Sequence, residues 1–413
     1  MSEVIRARWV LPIDRPPIEN GWIETAGGRV LAIGRGRPPE APRDLGAVAL
    51  LPGLVNAHTH LELSWMANLV PPAASMVEWI RTLLRVRETG PAGGTAAGEA
   101  AMRSGAELMR ATGTALVGDV ANGLATAQVI RDAGLGGVVF HELLGFAARD
   151  PAAIVRQAWG RVRIAEALLQ PRARDEDRDA PEAIPIDFSV VAHAPYSVSP
   201  GLFREIVHRA NEALLTVHLA ESPEEIELLS TGRGPLRTLL EELGLWTGHW
   251  QAPRTDPTRY LAELGYLRPG VLVVHGVYLT DDALDRLRRV GAVLVTCPRS
   301  NLWVGTGPPR LSHFYASGVP VAIGTDSLAS SPSLNMFDEL AEMRRIAPDV
   351  AAASMLESAT RVGAEALGFS ADFGTIAPGK RACFVAVDVP DGIHDVEEYL
   401  VSGVPADRVR NAA

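Results

Sequence analysis

Residues 50–64, LLPGLVNAHTHLELS, decide how this chain is read. An apolar run from Leu50 to Val55 has the texture of a buried strand, and it leads into His58 and His60. Side chains on a strand alternate faces with a period of two, so the two imidazoles point the same way. Two histidines so placed at a strand's end can hold one metal ion. They can equally be polar residues on a surface loop, and the pair alone does not separate the two.

The same texture recurs down the chain. Eight apolar strand-like runs occur at 54–58, 115–120, 136–145, 187–195, 214–221, 271–276, 292–298 and 320–326. Segments between them, such as SMVEWIRTLLRVRE (75–88) and DDALDRLRRVG (281–291), carry apolar residues at helical spacing. Apolar strands alternating with helices imply a parallel sheet, and eight is the number that closes a barrel. The expected fold is therefore α/β: a (β/α)8 TIM-like barrel over residues 51–370. Residues 1–50 read as short strands, with a hairpin signal at Gly27-Gly28. Strand-like texture returns in GTIAPGKRACFVAVDV (374–389) and EEYLVSGVPADRV (397–409). Residues 1–50 and 371–413 are thus expected to pair as a small accessory β domain built from both chain ends. Two stretches read as insertions. The charged, proline-bearing 170–185 suggests a mobile surface loop. Residues 222–270, with Trp246, His249, Trp250 and Arg254, are more chain than one connecting helix needs.

With 413 residues, 47% of them hydrophobic, the chain has ample material for a large core. A net charge of −10 argues against a nucleic-acid partner or an anionic membrane, while leaving an anionic small-molecule substrate open. Two cysteines, Cys297 and Cys383, make neither a disulfide framework nor a Cys-rich zinc motif, and suit a reducing cytoplasm. The opening MSEVIRARWVLPIDRPP lacks the apolar stretch of a signal peptide, and no apolar run reaches membrane-spanning length. The expectation is a soluble cytoplasmic protein with a small-molecule substrate, compatible with a homodimer. A single lysine, Lys380, stands among 39 basic residues, as codon bias in a GC-rich genome would produce.

Position now bears on the opening question, because barrels of this kind form their sites at the C-terminal ends of the strands. His58, His60, His193, His218 and His275 all fall at or near such ends, as does Asp326 in IGTD. Apolar strands rarely carry such groups unless they are paired or ligating. Three imidazoles and a carboxylate, from His58, His60, His218 and Asp326, suit one divalent metal per chain with a position left for water. Zinc is the simplest occupant, and Fe2+ is compatible. A bound zinc can lower the pKa of its water from 15.7 to about 7. Asp326 can also accept that water's proton, His275 can hold the nucleophile in line, and Glu221 can shuttle protons to substrate and leaving group. His193 is a substrate contact or a satisfied structural histidine. Arg299 is a partner for a substrate carboxylate or a surface arginine, and Glu142 either reaches the pocket or stops short. Glu62 and Ser64 face the pocket or the loop. Trp65 and Trp79 stack on a flat substrate or belong to the core.

PGLVNAHTH, HLAES, VVHGVYL, CPRSNLWVGTG, AIGTDSLAS and ATRVGAEALG…GTIAPGK resemble, in this order, the amidohydrolase superfamily in its deaminase and chlorohydrolase-like branch. NAHTHLELS, HAPYSVSP, HLAESPEE and CPRSN most resemble the group acting on aminodeoxyfutalosine in menaquinone biosynthesis. The resemblance implies His58, His60, His218 and Asp326 as metal ligands, His275 as the residue orienting the nucleophile, and Glu221 as acid–base. Binuclear members bridge two metals with a carboxylated lysine from strand 4. Here that strand offers His193, so the resemblance implies a single metal. Cys383 stands where the family usually has aspartate. The implied reaction is hydrolytic deamination of a 6-aminopurine nucleoside-like substrate. Alternatives are hydrolysis of a C–N or C–Cl bond on a triazine or pterin, or a metal-free scaffold.

Overall fold

The structure, a computed structural model, describes residues 2–90, 95–169 and 183–412. The N-terminal strands β1 (Ser2–Val10), β2 (Ile18–Ala26) and β3 (Arg29–Arg35) form an antiparallel meander. Gly27 and Gly28 make the β2–β3 turn with φ of 57° and 72°, the conformation that a tight hairpin asks of both central residues. β4 (Arg43–Asp44) and β5 (Val48–Pro52) run parallel to β1. Eight strands, β6 to β13, then intervene before β14 (Phe384–Asp388) and β15 (Val409–Asn411). β14 pairs antiparallel with β5 and β15, so strands from both chain ends share one seven-stranded sheet. Ile5, Val10, Ile23, Leu50 and Phe384 fill its core. The strand expectation for EEYLV is overturned. Val396–Val401 is a helix, started by the Asp395 carboxylate accepting the Glu398 N–H. With that cap, Val396 and Leu400 fall one turn apart and are buried together.

The intervening eight are β6 (Leu54–Thr59), β7 (Thr114–Ala121), β8 (Gly136–Leu143), β9 (Ile186–Ala192), β10 (Thr216–Leu219), β11 (Leu272–His275), β12 (Val293–Thr296) and β13 (Val321–Ile323). Each of the eight apolar runs has become a strand. They pair in parallel as two four-stranded sheets, β6-β7-β8-β9 and β10-β11-β12-β13. Their residues are almost all buried, as parallel strands covered on both faces must be.

Backbone hydrogen bonds join the sheets at two seams. At one, the His218 N–H reaches the His193 carbonyl at 2.9 Å. At the other, the Thr325 and Asp326 N–H groups both reach the His58 carbonyl at 3.1 Å. Gly324 makes the second seam possible: a Cβ there would lie 2.6 Å from the His58 carbonyl oxygen.

The expected helices form, and polar caps start them. Ser75, Thr95, Ser199, Thr280 and Asn335 each accept a first-turn N–H through the side chain. The 222–270 segment contains three helices, Pro223–Thr231, Pro235–Glu242 and Pro257–Glu263, each opening on proline. The second packs Leu236, Leu239 and Leu240 into a cluster with Met76, Phe146 and Tyr196. Most of 170–185, including all of its acidic run, lies outside the described residues. No described helix is long and apolar enough to cross a membrane.

Candidate active site

His58 and His60 leave β6 on one side of a seam, and Asp326 follows β13 on the other. The Nε2 atoms of His60 and His218 stand 3.3 Å apart. Asp326 Oδ1 lies 3.5 Å from His60 Nε2 and 3.7 Å from His58 Nε2. Donors bound about 2.05 Å from a tetrahedral zinc stand roughly 3.3 Å apart, so these spacings suit a common cation. Donor atoms of His58, His60 and Asp326, and of His58, His218 and His275, gather within 4.8 Å of one another in each set.

The hydrogen bonding fits a cation too. Neither ring nitrogen of buried His58 has a hydrogen-bond partner among the described residues. Leaving such atoms bare costs about 1–3 kcal/mol each unless something else engages them. His218 Nδ1 lies 3.0 Å from the His193 carbonyl, so Nδ1–H donates there and Nε2 keeps its lone pair for the centre. Burial lowers the pKa of His60 and lowers that of His218 much further, and neighbouring imidazoles add to both shifts, so both rings are neutral, as ligands must be. Burial works to raise the Asp326 carboxyl, but His58 and His60 outweigh it and hold it well below the usual range. Its Oδ2 accepts from Ser300 Oγ at 2.5 Å and Ser330 Oγ at 2.8 Å, leaving Oδ1 toward the imidazoles. The residues present therefore fit a divalent metal held by His58, His60, His218 and Asp326.

Glu221 and His275 stand together beside this cluster, Oε1 to Nε2 at 3.5 Å. Burial, with Asp326 and Glu225 nearby, raises the Glu221 carboxyl well above the carboxylate range, so it has a proton to give. Burial brings His275 down to about 3. Asn301 donates through Nδ2–H to His275 Nδ1 at 3.0 Å, which places the ring proton on Nε2, toward Glu221.

Three non-glycine residues around the site have positive φ: Ala220 (51°), His275 (71°) and Asp326 (56°). Such conformations persist only where the surroundings over-determine them. At Ala220 the agent is Glu225, whose two carboxylate oxygens accept the N–H groups of Ala220 and Glu221, both at 3.0 Å. Glu225 thereby positions Glu221. Glu225→Gln keeps the shape but turns an NH2 toward one of those N–H groups, and is expected to cost about 1–3 kcal/mol. Burial puts the Glu225 pKa at about 7, against 4.5 for a free side chain. Ionisation therefore weighs on the native fold as pH rises from about 4.5 through about 7, and Gln is free of that loss. The stability gap between wild type and variant should shrink over this window. Denaturant titrations at pH 5 and pH 8 check this; a gap that widens would contradict it.

A cavity of about 280 Å³ connects these groups. His193 and Glu142 line it, as do Glu62 and Trp79. His193 Nδ1 lies 2.5 Å from Ser197 Oγ, and burial lowers its pKa to about 4. Glu142, raised by burial to about 7, accepts from Asn122 Nδ2 at 3.2 Å. Glu62 in turn accepts the backbone N–H of Asn122 at 2.7 Å. Trp65 is not among the lining residues and packs with Met66, Val70 and Trp79. Ser64 is buried, and the cavity lining does not include it.

Arg299 is a correction. It does not line the cavity; its guanidinium reaches Ser333 Oγ at 2.9 Å and Asp338 at 3.4 Å, close to buried Glu339. Instead of meeting a substrate carboxylate, it is turned by the 298–303 helix toward the 336–346 helix. Sequence reasoning did not place Glu225, Ser300, Asn301, Ser330 or Asn122 at the site. A larger cavity of about 780 Å³ lies at the opposite, N-terminal ends of the strands, away from all these groups.

The Amidohydrolase family model matches residues 49–409, most of the chain. This chain belongs to the amidohydrolase family. Family membership, with deaminases among its relatives, makes it a hydrolase acting on C–N bonds. It is 31% identical over 368 residues to an aminodeoxyfutalosine deaminase of Deinococcus radiodurans, covering 84% of this chain and 81% of that one. It is 30% identical to a 5-methylthioadenosine/S-adenosylhomocysteine deaminase of Teredinibacter turnerae, covering 88% and 77%. The crystal structure of an adenosine deaminase from Xanthomonas campestris with bound zinc superposes with a TM-score of 0.79. It is 24% identical, with 98% of this chain and 90% of that chain covered, so the two share a fold.

Proposed function

We propose that this amidohydrolase is a zinc-dependent deaminase of a 6-aminopurine nucleoside bearing an extended substituent, with aminodeoxyfutalosine as the preferred substrate. The observation that carries the reading is Glu221 and His275 paired at 3.5 Å beside the His/Asp cluster, inside one cavity. The 31% identical deaminase supports the substrate class. In this reading the two parallel sheets close as one (β/α)8 barrel, with the strands of both chain ends as an accessory domain. The enzyme is cytoplasmic and its partner is a small molecule.

A divalent ion would be held by His58, His60, His218 and Asp326 and would supply Lewis acidity, which can lower the pKa of a coordinated water to about 7. The chain's own residues do the rest. Asp326 accepts a proton from the attacking water. His275 holds that water in line through Nε2–H. Glu221 gives its proton to ring N1, so that the adjacent C6 accepts the oxygen. Glu221, now ionised, takes the proton left on the added oxygen and passes it to the amine, the C6–N bond breaks, ammonia leaves with a 6-oxopurine as co-product, and the proton on Asp326 returns to Glu221.

Ammonia release from aminodeoxyfutalosine, S-adenosylhomocysteine, methylthioadenosine and adenosine tests this, together with metal analysis. Aminodeoxyfutalosine is expected to give the highest kcat/KM, with about one zinc per chain. S-adenosylhomocysteine leading instead would support the second reading, which the 30% identical relative favours. No ammonia from any of the four, with metal bound and the protein folded, would sink both readings. Two tightly held ions per chain would overturn the mononuclear site.

A further inference from the structure

The cavity has two unlike ends. Its deep end is polar, with His60, His218, Glu221, His275 and Asp326. Its other wall is leucine-rich: Leu83 and Leu84 come from the Met76–Thr89 helix, and Leu236, Leu239 and Leu240 from the Pro235–Glu242 helix. Into this second region comes one permanently charged cation. Arg87, on the last turn of the 76–89 helix, is the sole arginine or lysine among the described residues lining the cavity.

The same helix supplies a control. Arg81 is engaged by both oxygens of Glu242 at 3.0 Å, an exposed structural pair. Arg87 has no carboxylate within ion-pair distance among the described residues. Its polar contact is one long bond, Nη2 to Asn122 Oδ1 at 3.4 Å. Asn122 itself is spoken for: its Nδ2 donates to Glu142 Oε2 at 3.2 Å, and Glu62 holds its backbone N–H. The amide thus steers the guanidinium, whose charge is felt by Glu142 but is not taken up in a direct ion pair. An arginine offers five donors in a planar fork suited to a carboxylate's two oxygens.

We propose that Arg87 is the seat of a substrate carboxylate: the nucleoside lies base-first against Glu221 and His275, and its substituent runs along the leucine wall to end on this guanidinium. The inference rests on the nucleoside reading above and adds the ligand class at the far end, an apolar arm with a terminal carboxylate. An aryl carboxylate, as in aminodeoxyfutalosine, and an amino-acid carboxylate, as in S-adenosylhomocysteine, share that chemistry. The leucines cover the arm's apolar body, and Arg87, itself exposed, meets the carboxylate at the solvent side of the cavity with its planar fork.

The test compares Arg87→Met and Arg87→Lys with wild type on these two carboxylates and on methylthioadenosine, whose arm has none. Arg87→Met should lower kcat/KM for a carboxylated substrate at least about tenfold more than for methylthioadenosine, mainly through KM. Arg87→Lys should recover part of that difference. The carboxylate with the larger ratio identifies which arm the site is built for. Calorimetric binding of futalosine and inosine to wild type and Arg87→Met gives a readout independent of turnover. Futalosine should lose at least about tenfold more affinity than inosine. If no substrate releases ammonia, the deaminase reading fails while this binding comparison still decides Arg87. Equal losses for both ligands, or no preference of wild type for futalosine, would overturn the proposal.

Discussion

His58→Ala and Asp326→Ala are each expected to take activity below detection and metal content from about one ion per chain toward zero. The two side chains approach within 3.7 Å from opposite sides of a seam, and His58 has no other polar partner among the described residues. Removing one of four donors leaves a site that binds a divalent ion far more weakly. Metal analysis after gel filtration, with ammonia release on the same samples, reads both effects. A His58→Ala protein that kept its ion and its rate would show that the ligand set is drawn wrongly.

Glu221→Gln should separate chemistry from metal binding. Gln keeps the shape and cannot carry the proton, so kcat should fall at least about 10²-fold with the ion retained. His275→Asn should likewise cost about 10²–10³-fold, the usual effect of deleting one donor aimed at the reacting oxygen. Both variants should fold, since neither is placed among the metal donors. Near-normal turnover in Glu221→Gln would remove that residue from the proton path, and loss of the ion would make it a ligand.

How far the amino-acid sequence reveals the fold and the site depends on the range of the interactions involved. The eight strands are legible because a parallel strand is apolar on both faces. A histidine or aspartate in such a run then stands out. His58, His60, His193, His218, His275 and Asp326 all have that signature, and the fold brings them to one place. Glu225 lacks it. In SPEE it resembles an ordinary acidic first turn of a helix, and its complete burial is what reveals its grip on Ala220 and Glu221. Arg299 and Arg87 show the same difficulty in opposite directions. Each looks like one of many arginines. Which of them faces the cavity depends on helix packing: the 336–346 helix engages Arg299, while the 235–242 helix, far along the chain from Arg87, lines the cavity that Arg87 enters. The short helix at 396–401 escapes a reading by pattern because so few apolar and acidic residues carry no period of their own, and its cap lies outside the stretch with strand-like texture.

The two seams give the proposed ion a second role. His58 and His60 stand at the end of a strand of one four-stranded sheet, His218 and Asp326 in or just after strands of the other, and the backbone bonds that join the sheets are made by His58, His193, His218, Thr325 and Asp326. A cation held by these four donors would be a rivet through both halves of the molecule. Its affinity then adds to the folding free energy as well as to reactivity. The apo chain would breathe first along the lines where its chemistry sits, and substitutions that loosen the sheet junction would surface as metal-dependent enzymes with inflated metal requirements rather than as unfolded protein.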